Sequence, residues 1–262
     1  MSLNLYRPFL LENENRMVES RKFKVGYVIP GIGLTSDEAE RRKSIANKIV
    51  ENSSVDIVCV DSGPLTIENC VEEAFAASSY LSKIYRLQNI YDAFVVGCFG
   101  DPGLRAAREL VNKLVVGPAE STLHLASQLA DEFIVISPLE STVILTRHMI
   151  NSYGFTEKVT AVVPANIPVV KFIENREEAS RKLAELILDT VKEKGGDAVV
   201  LGCMSMGYAL VDELLKEKTD LPVINPVKVS LKTAEMLLSL NLKQSIRSFP
   251  KPDYGKLKHL LD

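Results

Sequence analysis

The sequence predicts an α/β protein of two pseudo-symmetric lobes, each a parallel sheet flanked by helices, with a cleft between them. Three observations carry this. Short β-branched runs of about four to six residues alternate with helical patterns of about ten or more, as parallel strands covered on both faces require. The chain also repeats itself. Asp92-Ala93-Phe94-Val95-Val96-Gly97-Cys98-Phe99 aligns with Asp197-Ala198-Val199-Val200-Leu201-Gly202-Cys203-Met204, about 105 residues further on. Finally, both copies end in Gly-Cys, at the carboxyl ends of strands, where open α/β sheets bind ligands.

Residues 24–29 read as the first strand, and Pro30, Gly31, Ile32 and Gly33 as the loop after it. Thr35 and Glu38 have capping-box spacing and start a helix that runs to about residue 51. Residues 55–60 form the second strand. A long helix spans 66–87, with apolar positions at Val71, Phe75, Leu81 and Ile84. Residues 93–96 are a continuous apolar strand stopping at Gly97 and Cys98, followed by a helix at 104–111 and a short strand at 114–116. The grammar then restarts with helix 119–129, strand 133–136, helix 139–153 and strand 159–163. An amphipathic helix over 177–194 closes on Gly195 and Gly196 as C-caps. Strand 198–201 stops at Gly202 and Cys203. Helix 208–218, a short strand at 222–224 and helix 227–240 complete the pattern. One offset of about 105 links four elements in the same order, the mark of a duplicated lobe. The expected division is an N-terminal extension over 1–23, a first lobe of 24–117 with 226–262, and a second lobe of 118–225.

Composition narrows the function. The 262 residues carry 31 Lys and Arg against 34 Asp and Glu, a net charge of −3, so nothing favours nucleic acid. No apolar stretch approaches the roughly 18–20 residues of a membrane span, and the N-terminal residues lack the apolar core of a signal peptide. A cytoplasmic protein acting on a small molecule is expected. The four cysteines, Cys59, Cys70, Cys98 and Cys203, form no Cys-x-x-Cys pair, and the three histidines have no metal-ligand spacing. Cys59 and Cys70 read as small buried hydrophobes. His124 and His148 read as structural or solvated, and Glu120 as a first-turn helix acid. Asp101 and Pro102 are expected to set the helix start after Cys98.

Cys98 and Cys203 invite chemistry. Two lobes facing each other would present one thiol from each side of the cleft. Nearby helix N-termini and free amides would favour the thiolate, lowering a pKa that starts near 8.5. Gly97, Gly100 and Gly202 would let backbone approach a ligand closely. Two opposed acid/base groups suit inversion of a carbon acid: one takes a proton from one face and the other returns it to the opposite face. Burial and a disulfide switch are the alternatives, although a disulfide needs α-carbons within about 7 Å, too close to hold a ligand between the thiols.

At these residues the sequence resembles the aspartate/glutamate/hydantoin racemase superfamily, most closely its hydantoin and allantoin racemase branch. The matching stretches are Gly97-Cys98-Phe99-Gly100-Asp101-Pro102-Gly103, Gly117-Pro118-Ala119-Glu120-Ser121 and Gly202-Cys203-Met204-Ser205-Met206, with Gly63-Pro64 and Ile67-Glu68 after the second strand. The resemblance covers residues 24 to about 240. It implies that Cys98 and Cys203 are the catalytic bases, that no metal, flavin or pyridoxal phosphate is needed, and that the chain forms homo-oligomers. It also implies a substrate cleft lined by Pro30, Gly31, Ile32, Gly63, Pro64, Phe99, Gly100, Ser137, Pro138, Gly202, Met204 and Ser205. One departure stands out. The branch places Asn-Pro-Asn and a hydroxyl residue after the first strand, where this chain has Pro30-Gly31-Ile32-Gly33. The expected substrate is a 5-substituted hydantoin or related cyclic ureide, because apolar Phe99 and Met204 follow the two cysteines. An amino-acid racemase and a non-catalytic small-molecule binder are the competing readings.

Overall fold

The first strand, β1 (Phe23–Ile29), is apolar on both faces at its centre, and it recruits β2 (Ser53–Cys59) and β3 (Ala93–Val96) in parallel on either side. The computed structural model describes residues 22–168 and 171–261. The expected N-terminal extension lies outside these residues except for its end, where Phe23 already belongs to β1 and donates its N–H to Asn52 O at 3.0 Å. With β4 (Leu114–Val116) the first sheet has the order β2-β1-β3-β4. The second sheet repeats that order as β6-β5-β7-β8, with β5 (Phe133–Ser137), β6 (Val159–Pro164), β7 (Val199–Leu201) and β8 (Val223–Ile224), again all parallel. The repeat in sequence is therefore a repeat in topology. Cys98 and Cys203 leave equivalent strands, β3 and β7.

Helices α1 (Ser36–Ile49), α2 (Cys70–Leu87) and α3 (Leu104–Leu110) belong with the first sheet. Helices α5 (Glu140–Ser152), α6 (Lys171–Glu174), α7 (Arg176–Lys194), α8 (Met204–Tyr208) and α9 (Val211–Thr219) belong with the second. Between the sheets run α4 (Pro118–Leu129) and α10 (Pro226–Ser239), which pack on each other. Helix α10 also meets α1, β1, β3 and β4, while α4 meets β7.

Apolar side chains form three layers. The central one takes Val25, Tyr27 and Val95 from the first sheet and Phe133, Val135 and Val200 from the second, joined by Leu123 of α4 and Leu231 of α10. The outer two lie under α2 and α3 on one side and under α7 and α9 on the other. Alternate residues of each strand thus feed different layers, as the pleat dictates.

Several elements differ from expectation, among them the short α6, which the sequence pattern does not announce. Helix α2 starts at Cys70, because the Asn69 side chain accepts the N–H groups of Val71 and Glu72, both at 3.1 Å, and caps it there. Val71 and Phe75 then face solvent instead of the core, and Cys70 is exposed while Cys59 is half-buried. The helix expected over 208–218 starts only at Val211, as α9, and a separate short helix, α8, precedes it, the two divided by Leu210 at φ 54°. Gly207 ends α8 against Asn225, whose Nδ2 donates to Gly207 O at 3.0 Å. Last, α11 (Tyr254–Leu261) was not foreseen. It packs on α2, with Tyr254 tilted over Tyr85 and its hydroxyl donating to Leu110 O at 2.8 Å.

Candidate active site

Gly97 and Gly202 set the two thiols at their stations. Each donates its N–H to the adjacent strand, to Val28 O at 2.7 Å and to Ile136 O at 2.8 Å. A Cβ on either would lie 2.7 Å from that same carbonyl oxygen, so only glycine allows the contact. They serve the approach of strand to strand, and both also line the cleft. The next residue is pushed clear of the sheet end. There Cys98 and Cys203 open onto one cleft of about 480 Å³, lined from both lobes.

Backbone amides meet both sulfurs. Cys98 Sγ faces the Gly100 N–H, and Cys203 Sγ faces the N–H groups of Met206 and Ser205 and the Ser205 hydroxyl. Burial nonetheless dominates. It pushes the Cys98 thiol up to about 12 against the Gly100 amide, with the Cys203 sulfur, Asp101 and Glu73 adding to the rise. It raises the Cys203 thiol as well, against its amides and the Arg42 cation. The expected lowering of the thiol pKa is thus reversed: desolvation disfavours the anion more than the amides favour it. All four cysteines are free thiols.

Of the expected lining residues, Pro30, Gly31, Phe99, Gly100, Pro138, Gly202, Met204 and Ser205 line the cleft with the cysteines. Ile32, Gly63, Pro64 and Ser137 do not. Ile32 points outward at 45% exposure and donates its N–H to Pro64 O at 3.0 Å. Pro64 thereby supports the β1–α1 loop from behind, while its neighbours Leu65 and Thr66 reach the cleft. Ser137 is fully buried, its hydroxyl 2.7 Å from that of Thr142, and Thr142 is the residue that lines the cleft.

Sequence reasoning missed three charged residues of this wall, Arg42, Glu68 and Glu73, of which Glu68 entered only through the family resemblance. Arg42 on α1 is buried; its Nε donates to Glu38 Oε1 at 2.8 Å and its Nη2 to Ser205 Oγ at 3.0 Å, across to the second lobe. Its guanidinium also lies 5.0 Å from the centre of the Tyr208 ring. Only half of the expected capping box forms. Thr35 Oγ1 accepts the Glu38 N–H at 3.3 Å, while the Glu38 carboxylate serves Arg41 and Arg42.

Asp101 has a different task from the one expected. Helix α3 starts at Leu104 as expected, but its N-cap is Gly103, and the Asp101 carboxylate instead accepts the N–H groups of Ala119 at 3.1 Å and Glu120 at 2.9 Å, plus the Tyr153 hydroxyl at 2.9 Å. The Cys98 loop is so tied to the start of α4 and the end of α5. Glu120 pairs with Arg108, His124 meets Phe155 edge-on at 5.0 Å, and His148 is exposed. None of these lines the cleft.

Residues 39–234 match the model of the family described as Asp/Glu/hydantoin racemase. Among curated proteins, the hydantoin racemase of Paenarthrobacter aurescens is 30% identical over 223 residues, covering 84% of this chain and 92% of that protein. The hydantoin racemase of Rhizobium meliloti is 34% identical over 177 residues, 67% of this chain and 72% of that protein. Among solved structures, the allantoin racemase from Klebsiella pneumoniae superposes with a TM-score of 0.79 at 30% identity, covering 88% of this chain and 94% of that one.

Proposed function

The chain belongs to the Asp/Glu/hydantoin racemase family and is a racemase, and from that premise we propose that it inverts the acidic carbon of a 5-substituted hydantoin or related cyclic ureide between Cys98 and Cys203. One observation carries the reading: two thiols on equivalent strand ends open onto a single cleft from opposite lobes, each faced by backbone amides. The reactive form is the minor one in which one of the two raised thiols has ionised, so that one cysteine is thiolate and the other thiol. The thiolate takes the ring C–H proton, and the electron pair left behind delocalises into the neighbouring carbonyl as an enolate. The other thiol then protonates the opposite face, leaving the two protonation states exchanged. Amides at the cysteine loops stabilise the oxyanion. These steps use only side chains and amides of this chain.

The wall supports this substrate class. Leu139, Leu145, Met149, Ile167 and Pro168 make the second lobe's side of the cleft apolar, suited to an aliphatic or aromatic substituent. Arg42 and Glu73 favour a second reading, a zwitterionic amino acid. Against it, the Arg42 guanidinium is already engaged by Glu38 and Ser205. The test is loss of optical rotation on a panel of pure enantiomers. A 5-monosubstituted hydantoin is expected to racemise faster than aspartate or glutamate under matched conditions; faster racemisation of aspartate reverses the assignment. The four free thiols fit a reducing, cytoplasmic compartment. Exposed Met236, Leu240, Leu242 and Ile246 would suit burial between copies of the chain, in keeping with a homo-oligomer.

A further inference from the structure

Helix α2 opens with two adjacent glutamates, Glu72 and Glu73, and they are used differently. Glu72 is spent on the fold: its Oε2 accepts the Glu68 N–H at 2.6 Å. The half-buried Glu73 carboxylate has no hydrogen bond or ion pair with the described residues, and burial alone raises its pKa. It lines the cleft on the Cys98 side. The space over Gly100 shows where it points. One carbon's reach from the Gly100 Cα, a single position lies 3.8 Å from Glu73 Oε1 and 3.9 Å from Cys98 Sγ, with no other heavy atom beyond the chain neighbours within 4 Å. That position is within bonding distance of the Gly100 Cα, so a ligand atom sits further out, but the two distances put the Glu73 carboxylate and the Cys98 sulfur within about 7.7 Å of each other, flanking the open space beyond Gly100.

We propose that Glu73 recognises a ring N–H of the substrate, so that the cleft selects cyclic ureides whose nitrogen next to the acidic carbon is unsubstituted. The inference rests on the racemase reading above and deepens it. A partly desolvated carboxylate without a partner is a strong acceptor, and a ligand that brings an N–H satisfies it. In a cyclic ureide that N–H is one bond from the carbon that loses its proton. A ring that offers its C–H to Cys98 therefore carries the N–H into the same space, beside Glu73. The hydrogen bond forms in the bound ground state and does not strengthen as the ring gains negative charge. It therefore acts on KM more than on kcat.

The test compares a 5-substituted hydantoin with its derivative methylated on that nitrogen, using wild type, Glu73→Ala and Glu73→Gln. Wild type is expected to prefer the unmethylated ring by about 30-fold or more in kcat/KM. In Glu73→Ala the unmethylated ring loses about 10- to 100-fold, mostly through KM, and the preference shrinks to within about threefold. Glu73→Gln keeps the size and an acceptor oxygen, and it should keep part of the preference with kcat close to wild type. It also serves if the alanine variant folds poorly. Equal losses on both substrates, or an undiminished preference in both variants, overturn the assignment while leaving the racemase reading intact. A wild-type protein that racemises no hydantoin overturns both.

Discussion

At the scale of single residues, the cleft is electrically lopsided. Cys203 has Arg42, a hydroxyl and two amides near its sulfur, whereas Cys98 has one amide and the acidic side chains of Glu73 and Asp101. Both thiol pKa values are raised, so both are protonated at neutral pH, and the thiolate fraction grows about tenfold per pH unit until each pKa is reached. Alkylation by iodoacetamide should therefore be slow at pH 7 and accelerate about tenfold per unit towards pH 9, Cys203 ahead of Cys98, with exposed Cys70 as the fast reference. Peptide mass mapping over that range checks this; rapid, pH-independent labelling of Cys98 at pH 7 would contradict it. The two thiols were legible in the sequence because duplication printed them twice in the same context. Arg42 and Glu73 were not. Each has a like-charged neighbour, Arg41 and Glu72, on the same helical turn, and sequence spacing does not tell which of an adjacent pair turns towards the cleft.

At the scale of elements, the strand ends carry the site. Gly97→Ala puts a methyl 2.7 Å from Val28 O, and β3 must move away from β1 to relieve it. Overpacking of this kind costs about 1–3 kcal/mol. Both Gly97→Ala and the equivalent Gly202→Ala should unfold at lower denaturant and lose activity, because the displaced strand end carries its cysteine with it. A variant with wild-type stability and turnover would show that the approach is not required. Helix α10 offers a pH test. Burial would raise the Glu235 carboxyl, but the Asn52 amide, Lys232 and the Glu51 amide outweigh it and hold the carboxyl below its ordinary value. An acid depressed in the folded state stabilises above its unfolded pKa, about 4.3, and loses that contribution as pH falls through the folded value. Wild type should thus exceed Glu235→Gln by about 1.5–3 kcal/mol at pH 7, the gap closing below about pH 4 in urea melts. Strand positions were the most legible elements, since apolar runs between turn residues admit few alternatives. The start of α2 is less legible, because the stretch before Asn69 has no Pro or Gly after Pro64 to interrupt a helical pattern, and the Asn69 cap alone sets the boundary.

At the scale of the whole molecule, the duplication explains why the fold could be read so far. A repeat with one offset and a Gly-Cys end in each copy fixes two like sheets, and their carboxyl ends are where a ligand binds. What it does not reveal is how the copies are joined. The central apolar layer draws on both sheets, and Arg42 of α1 reaches Ser205 beyond β7. These contacts couple elements more than a hundred residues apart, and no local periodicity encodes them. The account stands on one claim, that each thiol serves one face of the substrate. The direct measurement is proton NMR in deuterium oxide, following the ring C–H of each pure hydantoin enantiomer with Cys98→Ser and Cys203→Ser. A hydroxyl is too weak an acid to replace the thiolate, so both variants should lose racemisation. Each should still exchange the C–H of one enantiomer above the enzyme-free rate, with opposite preferences. Equal exchange of both enantiomers by either variant would show that one base suffices and would contradict the account.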